Sequence, residues 1–480
     1  MIDVVFAFDV EDPVNEAADG ALLRICRIFS EEGVPASMFM AGEKARVLRQ
    51  RGRKDVIEAL STHEICFHGN YWGDFPIPAM HYGQQMDWDE AVAFALQVET
   101  PGLNDVADIT GQFPVAWCVH QAQWCPQMAY ALKLAGVRCC AGGPRGWVMD
   151  WLSWGRSGCV LSSQPAWQHH VDPAKRSERK PPMDVEEELK ASQTYFDGLT
   201  ETEEFITVVA HPTCFVTADW GGLYEHAMLF RHGSPGAYPR PANLRRAQPR
   251  SAQDQEAAFG FLRRQIQWLK GRDDVNITTY SALCDREMED PPQWVSMQQA
   301  LSVATRMCER LDWVVDYGTS FSCADVVGLM TFACDYYWRV GRWPEELPLQ
   351  RLIGPTEAPL GNPEPVTLTC ENILAGALAA YSIMMDERRI LGALRASMVD
   401  VGPGAWLHAL TEFVSTTVET GRMPLQVTME DAPMLPECAN GPQIQKRRFA
   451  SSNRAPGLTT DRLWDLWQWQ SWSYRPAVRR

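Results

Sequence analysis

Four side chains in the first half of the sequence could do acid–base work on one centre. Phe6-Ala7-Phe8-Asp9-Val10-Glu11 is an apolar run that closes on two acids two positions apart. Side chains alternate along a strand, so Asp9 and Glu11 point to the same side. One carboxylate can then take a proton from water while its neighbour holds a cation or orients a partner. Ile65-Cys66-Phe67-His68 ends a second apolar run on an imidazole, and Phe205-Ile206-Thr207-Val208-Val209-Ala210-His211 ends a third, with Pro212 fixing the exit. An imidazole titrating near neutrality is suited to protonate a departing nitrogen or oxygen. An acid at a strand end also caps the helix that follows, and a single histidine after an apolar run commonly fills a hydrogen-bonded core position. Position separates the two readings, because the C-terminal strand ends of a parallel barrel face one shared site.

The elements that must position these groups are legible in outline. Short β-like runs alternate with helical stretches: Val4–Val10 as strand, Gly20–Glu32 as helix, Ala36–Met40 as strand, Asp55–Leu60 as helix, Glu64–Phe67 as strand. The series continues with helix Asp89–Val98, strand Val115–Val119, helix Pro126–Ala135, strand Phe205–Ala210, helix Gln253–Leu269 and the run Val275–Tyr280. Alternation of this kind predicts parallel strands with crossover helices. Gly233–Arg250 is rich in Pro, Gly and Arg and predicts a long irregular loop.

Beyond Asp290 helical periodicity dominates, in Ser296–Val315, Ala324–Val340, Cys370–Met385 and Ala405–Thr420. Gly341-Arg342-Trp343-Pro344 and Gly421-Arg422-Met423-Pro424 lie 80 residues apart, each after an amphipathic helix, which predicts two related helical units. Four tryptophans between Trp464 and Trp472 predict a helix docking an aromatic face, either as a packing strap or as a sugar-stacking surface. The expected domains are therefore 1–287, an α/β unit, then 288–440, α-helical with two related units, then a Trp-rich tail, 441–480. The helical domain is expected either to cap the barrel mouth or to form a homo-oligomer contact.

A net charge of −16 argues against nucleic acid as a partner. No apolar stretch is long enough to span a membrane, and the start of the chain has no leader-like pattern, so a cytoplasmic protein is expected. The 14 cysteines show no CxxC spacing and read as reduced core residues.

The order of Asp9-x-Glu11, His63-Glu64-Ile65-Cys66-Phe67-His68-Gly69, the stretch PVAWCVHQAQWCPQMAYALKLAGV and Val208-Val209-Ala210-His211-Pro212 resembles the polysaccharide deacetylase superfamily, the NodB-homology or carbohydrate esterase family 4-like fold. That resemblance covers residues 1 to about 285 and implies an α/β fold, a distorted (β/α) barrel. It implies that Asp9 is a general base, that Glu11 and His68 are ligands of a divalent metal such as zinc, and that His211 is a general acid. Asp150-Trp151 resembles the segment that walls the pocket in that family. Two departures stand out. Trp72 occupies the place of the second metal histidine, and Trp117-Cys118-Val119-His120 the place of an arginine motif. His68-Gly69-Asn70-Tyr71-Trp72 is also similar to the HGxxW pattern of the cofactor-independent allantoinases and cyclic imide hydrolases, which implies a metal-independent site. Asp12, Trp72, His120, Asp150, Trp151 and Trp220 are the residues expected to touch substrate. The function expected is hydrolysis of a C–N bond other than a peptide bond in a small-molecule or saccharide substrate. The alternatives are a metal-dependent N-deacetylase of an amino-sugar glycoconjugate and a catalytically silent binding module.

Overall fold

In the computed structural model, the residues described are 1–72, 83–118, 125–141, 152–153, 159–162, 185–200, 205–223, 243–287, 292–396, 398–430, 432–440 and 461–475. The chain divides into two compact units, with the change from first to second after Cys284, and Thr460–Arg480 belongs to the second. No helix among the described residues is long and apolar enough to cross a membrane.

The first unit is organised by a parallel sheet around strand β1, Ile2–Val10, whose residues are almost all buried. The order is β6 (Leu152–Ser153), β5 (Cys139–Cys140), β4 (Ala116–Trp117), β3 (Glu64–Phe67), β2 (Ser37–Met40), β1, β8 (Phe205–Ala210), β7 (Cys159–Ser162). Strand β9, Val275–Thr278, pairs with Ile2–Val5 of β1, on the edge that β2 uses further along through Ala7–Val10. The buried strands β1, β2, β3 and β8 are continuous apolar runs, which is why they could be read from sequence, whereas the short β5, β6 and β7 were not expected. Helices α1 (Ala17–Glu32), α2 (Gly42–Gln50), α3 (Lys54–Leu60), α4 (Trp88–Thr110), α5 (Pro126–Leu134), α6 (Val185–Thr200), α7 (Pro212–Val216), α8 (Ala252–Lys270) and α9 (Tyr280–Glu287) complete an α/β, barrel-like unit.

Helix α4 corrects an expectation. The pattern predicts an end at Val98, yet the helix runs to Thr110 with Pro101 inside it. Proline removes one backbone donor to the preceding turn. Next to that gap, Asn70 Nδ2 donates to the Val98 carbonyl at 2.6 Å, so tertiary bonding supports the turn that proline weakens. Asn70 reaches it because Gly42 and Gly102 have no side chains: a Cβ on Gly102 would sit 2.7 Å from the Asn70 Cα, and one on Gly42 2.4 Å from the Gly102 Cα. The expected loop Gly233–Arg250 lies outside the described residues up to 242. The remainder is irregular apart from a bridge between Pro249 and Thr217.

The second unit carries four long helices and also short strands that helical periodicity does not predict. Strand β10 (Trp294–Ser296), helix α10 (Met297–Glu309), hairpin β11 (Val314–Asp316) and β12 (Thr319–Phe321), helix α11 (Cys323–Val340) and strand β13 (Glu346–Pro348) form one series. Strand β14 (Val366–Thr369), helix α12 (Cys370–Glu387), hairpin β15 (Leu394–Ala396) and β16 (Val399–Val401), helix α13 (Pro403–Thr420) and strand β17 (Gln426–Met429) repeat it. From the hairpin onward the second series follows the first by 80 residues. Each first strand pairs antiparallel with the last of its own series, β10 with β13 and β14 with β17. The run Ser296–Val315, expected as one helix, is therefore a helix followed by a strand. Three-residue strands are too short for a periodicity to register.

Helix α14, Asp461–Gln470, and the turn after it lie on this second unit. Trp472 is fully buried in the apolar core of the two series and donates its indole N–H to the Met434 carbonyl at 3.2 Å. Gln470 bonds the backbone of Gly354 and Pro355, where a Cβ on Gly354 would meet the Trp469 carbonyl at 2.5 Å. The tryptophans thus pack against protein, as a strap. Removing a buried indole costs its transfer energy and leaves a cavity, so Trp472→Ala is expected to destabilise this unit by about 3–5 kcal/mol, read as a lower denaturant midpoint.

Candidate active site

Register in the parallel sheet brings the functional side chains to one level. Val10 pairs with Met40, Met40 with Phe67 and Phe67 with Trp117, while Phe8 pairs with Ala210. Glu11, His68 and Cys118 therefore emerge side by side, and His211 emerges level with Asp9. Asp9 points the same way as Glu11, as alternation along the strand requires.

Four groups meet there. His211 Nε2 lies 3.2 Å from Asp9 Oδ2 and 3.2 Å from Glu11 Oε1. His68 Nε2 lies 3.3 Å from Glu11 Oε2 and 3.8 Å from Asp9 Oδ2. His68 Nδ1 donates to the Cys118 carbonyl at 2.8 Å, which fixes the ring and aims Nε2 at the acids. Side-chain exposure separates an outer pair, Asp9 at 13% and His211 at 20%, from an inner pair, Glu11 at 6% and His68 at 2%.

Electrostatics follows from that packing. Burial pushes the Asp9 carboxyl up, but the His68 charge and the His211 hydrogen bond and charge outweigh burial and Glu11, leaving it below its ordinary value. Burial pushes His68 down, yet the charge of Asp9, the bond to Cys118 and the contact with Glu11 hold it well above the ordinary imidazole range. His211 is likewise disfavoured by burial and raised by its bond to Asp9 and by both acids, against repulsion from His68. Attraction between the acids and the two rings thus opposes the burial that Asp9, His68 and His211 each suffer.

The loop after His68 is locked. Asn70 N–H donates to Glu99 at 2.7 Å, and its side-chain oxygen accepts from Arg46 at 2.8 Å. Trp72 N–H donates to Glu43 at 3.1 Å. The Trp72 ring is buried with Leu223 and partly buried Val14 and Trp220. Trp220 stands 6.0 Å from Trp72 and meets His211 edge to face at 5.3 Å and 88°. Trp72 is 4% exposed, so its ring backs Trp220, which is half-buried beside His211.

Asp12 departs from its expected contact with substrate. It is 3% exposed and accepts four hydrogen bonds from the chain itself. His120, Asp150 and Trp151 lie outside the described residues. Sequence reading did not find Asn70, Lys44 or Thr213. Asn70 stood inside a conspicuous motif, whereas a lysine on a helix and a threonine after proline carry no signal of their own.

Glu11 and His68 have the donor chemistry for a divalent metal, a hard carboxylate oxygen and an anchored imidazole. Among the described residues, however, no three His, Cys, Asp or Glu are arranged to hold an ion. In the arrangement described the ring nitrogens face carboxylate oxygens directly.

No family model matches this chain, and no curated protein matches it. Among solved structures it is similar to a polysaccharide deacetylase-type protein from Mycobacterium smegmatis, at 16% identity over 59% of this chain and 89% of that one, TM-score 0.37. It is similar to a probable polysaccharide deacetylase from Pseudomonas aeruginosa PAO1, at 13% identity over 59% and 90%, TM-score 0.37. PuuE allantoinase is similar at 14% identity over 59% and 89%, TM-score 0.35. At that level of similarity the reading of the site rests on its own geometry.

Charge pairing fixes a pH signature. Asp9, lowered from 3.8, stabilises the fold above that value and loses the contribution as pH falls through its folded value. The histidines, raised from 6.5, stabilise below that value and lose the contribution as pH rises through their folded values. Wild type is therefore expected to gain most over Asp9→Asn between about pH 4 and 6.5. Histidine NMR should show both rings titrating lower in the variant. Unmoved histidine titrations would contradict this charge assignment.

Proposed function

We propose that the first unit hydrolyses a C–N bond other than a peptide bond, in an N-acyl group or a cyclic amide. The observation that carries this reading is the outer pair, the Asp9 carboxyl and the His211 imidazole 3.2 Å apart and partly open to solvent. Acid and base poised on one face are what water attack on an acyl carbon needs. Asp9 takes the proton of water as its oxygen bonds the carbon, and His211 gives its proton to the departing nitrogen.

A carboxylate held below its ordinary value is a weak base on its own. Here the two transfers support each other. As His211 hands over its proton it loses the charge that depressed Asp9, and the proton affinity of Asp9 rises while the water proton arrives. His68, anchored by the Cys118 carbonyl behind the pair, keeps a positive charge near the developing oxyanion. Glu11 holds both imidazoles and so fixes their spacing. Trp220, edge-on to His211, supports a wall for a planar or ring-shaped substrate, whether a small heterocycle or a sugar.

The rival reading is a metal-dependent N-deacetylase in which Glu11 and His68 are ligands. Metal analysis of purified protein, with turnover of acetylated sugars, hydantoins and imides measured before and after chelation, separates the two. The expected result is turnover of one class that survives chelation. Asp9→Asn and His211→Asn should each lower kcat by about 10²–10⁴-fold with unfolding unchanged in cooperativity. Full activity in Asp9→Asn would remove Asp9 as the base. Inactivity of wild type on every substrate would favour a binding module.

A further inference from the structure

The four-group cluster is braced by a carboxylate that takes no part in it. Asp12 divides its two oxygens between two tasks. Oδ1 accepts from the backbone N–H groups of Val14 and Asn15, at 2.9 and 3.0 Å, and so caps the turn that follows β1. Oδ2 accepts from Asn15 Nδ2 at 2.7 Å and from the hydroxyl of Thr213 at 2.6 Å, a bond spanning 201 residues. Thr213 is 1% exposed and lies two residues beyond His211, with Pro212 between them. Asp12 lies one residue beyond Glu11.

We propose that Asp12 and Thr213 are the positioning residues of this site, and that their hydrogen bond sets the separation between Asp9 and His211. The sheet itself secures these two chains only as far as the pairing of Phe8 with Ala210. Beyond that rung the β1–β8 ladder ends, while β1 stays paired with β2 through Val10, and a side-chain link joins the two diverging ends. Asp12 to Thr213 makes that link, and it closes a short ring: along β1 from Asp12 back to Asp9, across to His211, through rigid Pro212 to Thr213, and back.

A second set of bonds holds Asp12 from below. Lys44 Nζ, 2% exposed, donates to the Asp12 carbonyl at 2.6 Å and pairs with Asp19, itself 1% exposed. Arg51 bonds the other oxygen of Asp19 at 2.9 Å. A fully buried lysine–aspartate pair gives little net stability, because desolvation offsets its attraction. Its geometric effect is to fix the backbone of Asp12, and through it the direction of the carboxylate that reaches Thr213.

The cluster geometry stands on the structure alone, whereas the consequence for turnover rests on the hydrolase reading. The test uses full-length Thr213→Val, which keeps shape and removes the hydroxyl, with Thr213→Ser as the rescue. Asp12→Asn decides the matter if the valine variant does not fold. Ring nitrogen resonances of all ten histidines are followed by NMR. His63, bonded to the Cys26 carbonyl at the opposite end of β3, and His408, in the second unit, serve as internal references. The expected result is displacement of the His211 signals in Thr213→Val and Asp12→Asn, with His63 and His408 unmoved and wild-type signals restored in Thr213→Ser. His211 unchanged, or His63 displaced as much as His211, would overturn the proposal. On whichever substrate wild type turns over, Thr213→Val should lower kcat roughly 10–100-fold with KM within about twofold. If wild type turns over none, the hydrolase reading fails while the histidine spectra still decide the positioning role.

Discussion

Two carboxylates, two residues apart at the buried end of one strand, repel each other and lose hydration together. That constraint organises the first unit. Asp9 and Glu11 can stay charged only if positive charge is brought to them, and the chain brings it twice, as His68 from β3 and His211 from β8. Histidine meets the need and retains a proton it can give up, which lysine or arginine at the same positions would not do near neutral pH. Many surrounding details serve this arrangement: the in-register strand ends, the Cys118 carbonyl behind His68, and the locked turn at Asn70. None of them stabilises the fold much by itself. Together they leave an acid–base pair partly open to solvent, each member facing a group of opposite character.

Much of this was legible in the sequence, for a definite reason. Strands covered on both faces are apolar throughout, so a polar residue at the end of such a run is conspicuous, and Asp9, Glu11, His68 and His211 were each visible in that way. Parallel pairing then converts four separate observations into one place. Groups that act through tertiary hydrogen bonds were not visible. Lys44 sits on an amphipathic helix among arginines, where a solvated lysine is the ordinary case, yet it is buried against Asp19 and Asp12. Asp12 was expected to touch substrate, but a carboxylate accepting four bonds from its own chain is architecture. Helix α4 continues past its expected end at Val98 although Pro101 lies inside it, and the bond from Asn70 to the Val98 carbonyl supports that turn.

The second unit shows the complementary weakness of sequence reading. Helices of 18 residues such as α11 and α13 declare themselves through periodicity and through glycines that end them in left-handed geometry, Gly341 and Gly421. Strands of three residues do not, because no alternation can be established over so few positions. The four tryptophans near the C-terminus were legible as aromatic and ambiguous as to purpose. Burial of Trp467 and Trp472 makes them part of the core, so the segment that carries them is a component of the fold and not an appendage.

The pairing of each first strand with the last strand of its own series has an evolutionary consequence. When the two ends of a segment lie hydrogen-bonded side by side, the segment can be copied behind itself without exposing an unpaired edge, because every copy closes on its own borders. A gene that duplicated such a stretch would yield a second half already able to form its own sheet. What then remained for selection to improve was the apolar seam between the halves, the layer in which Val327 and Trp406 are now buried.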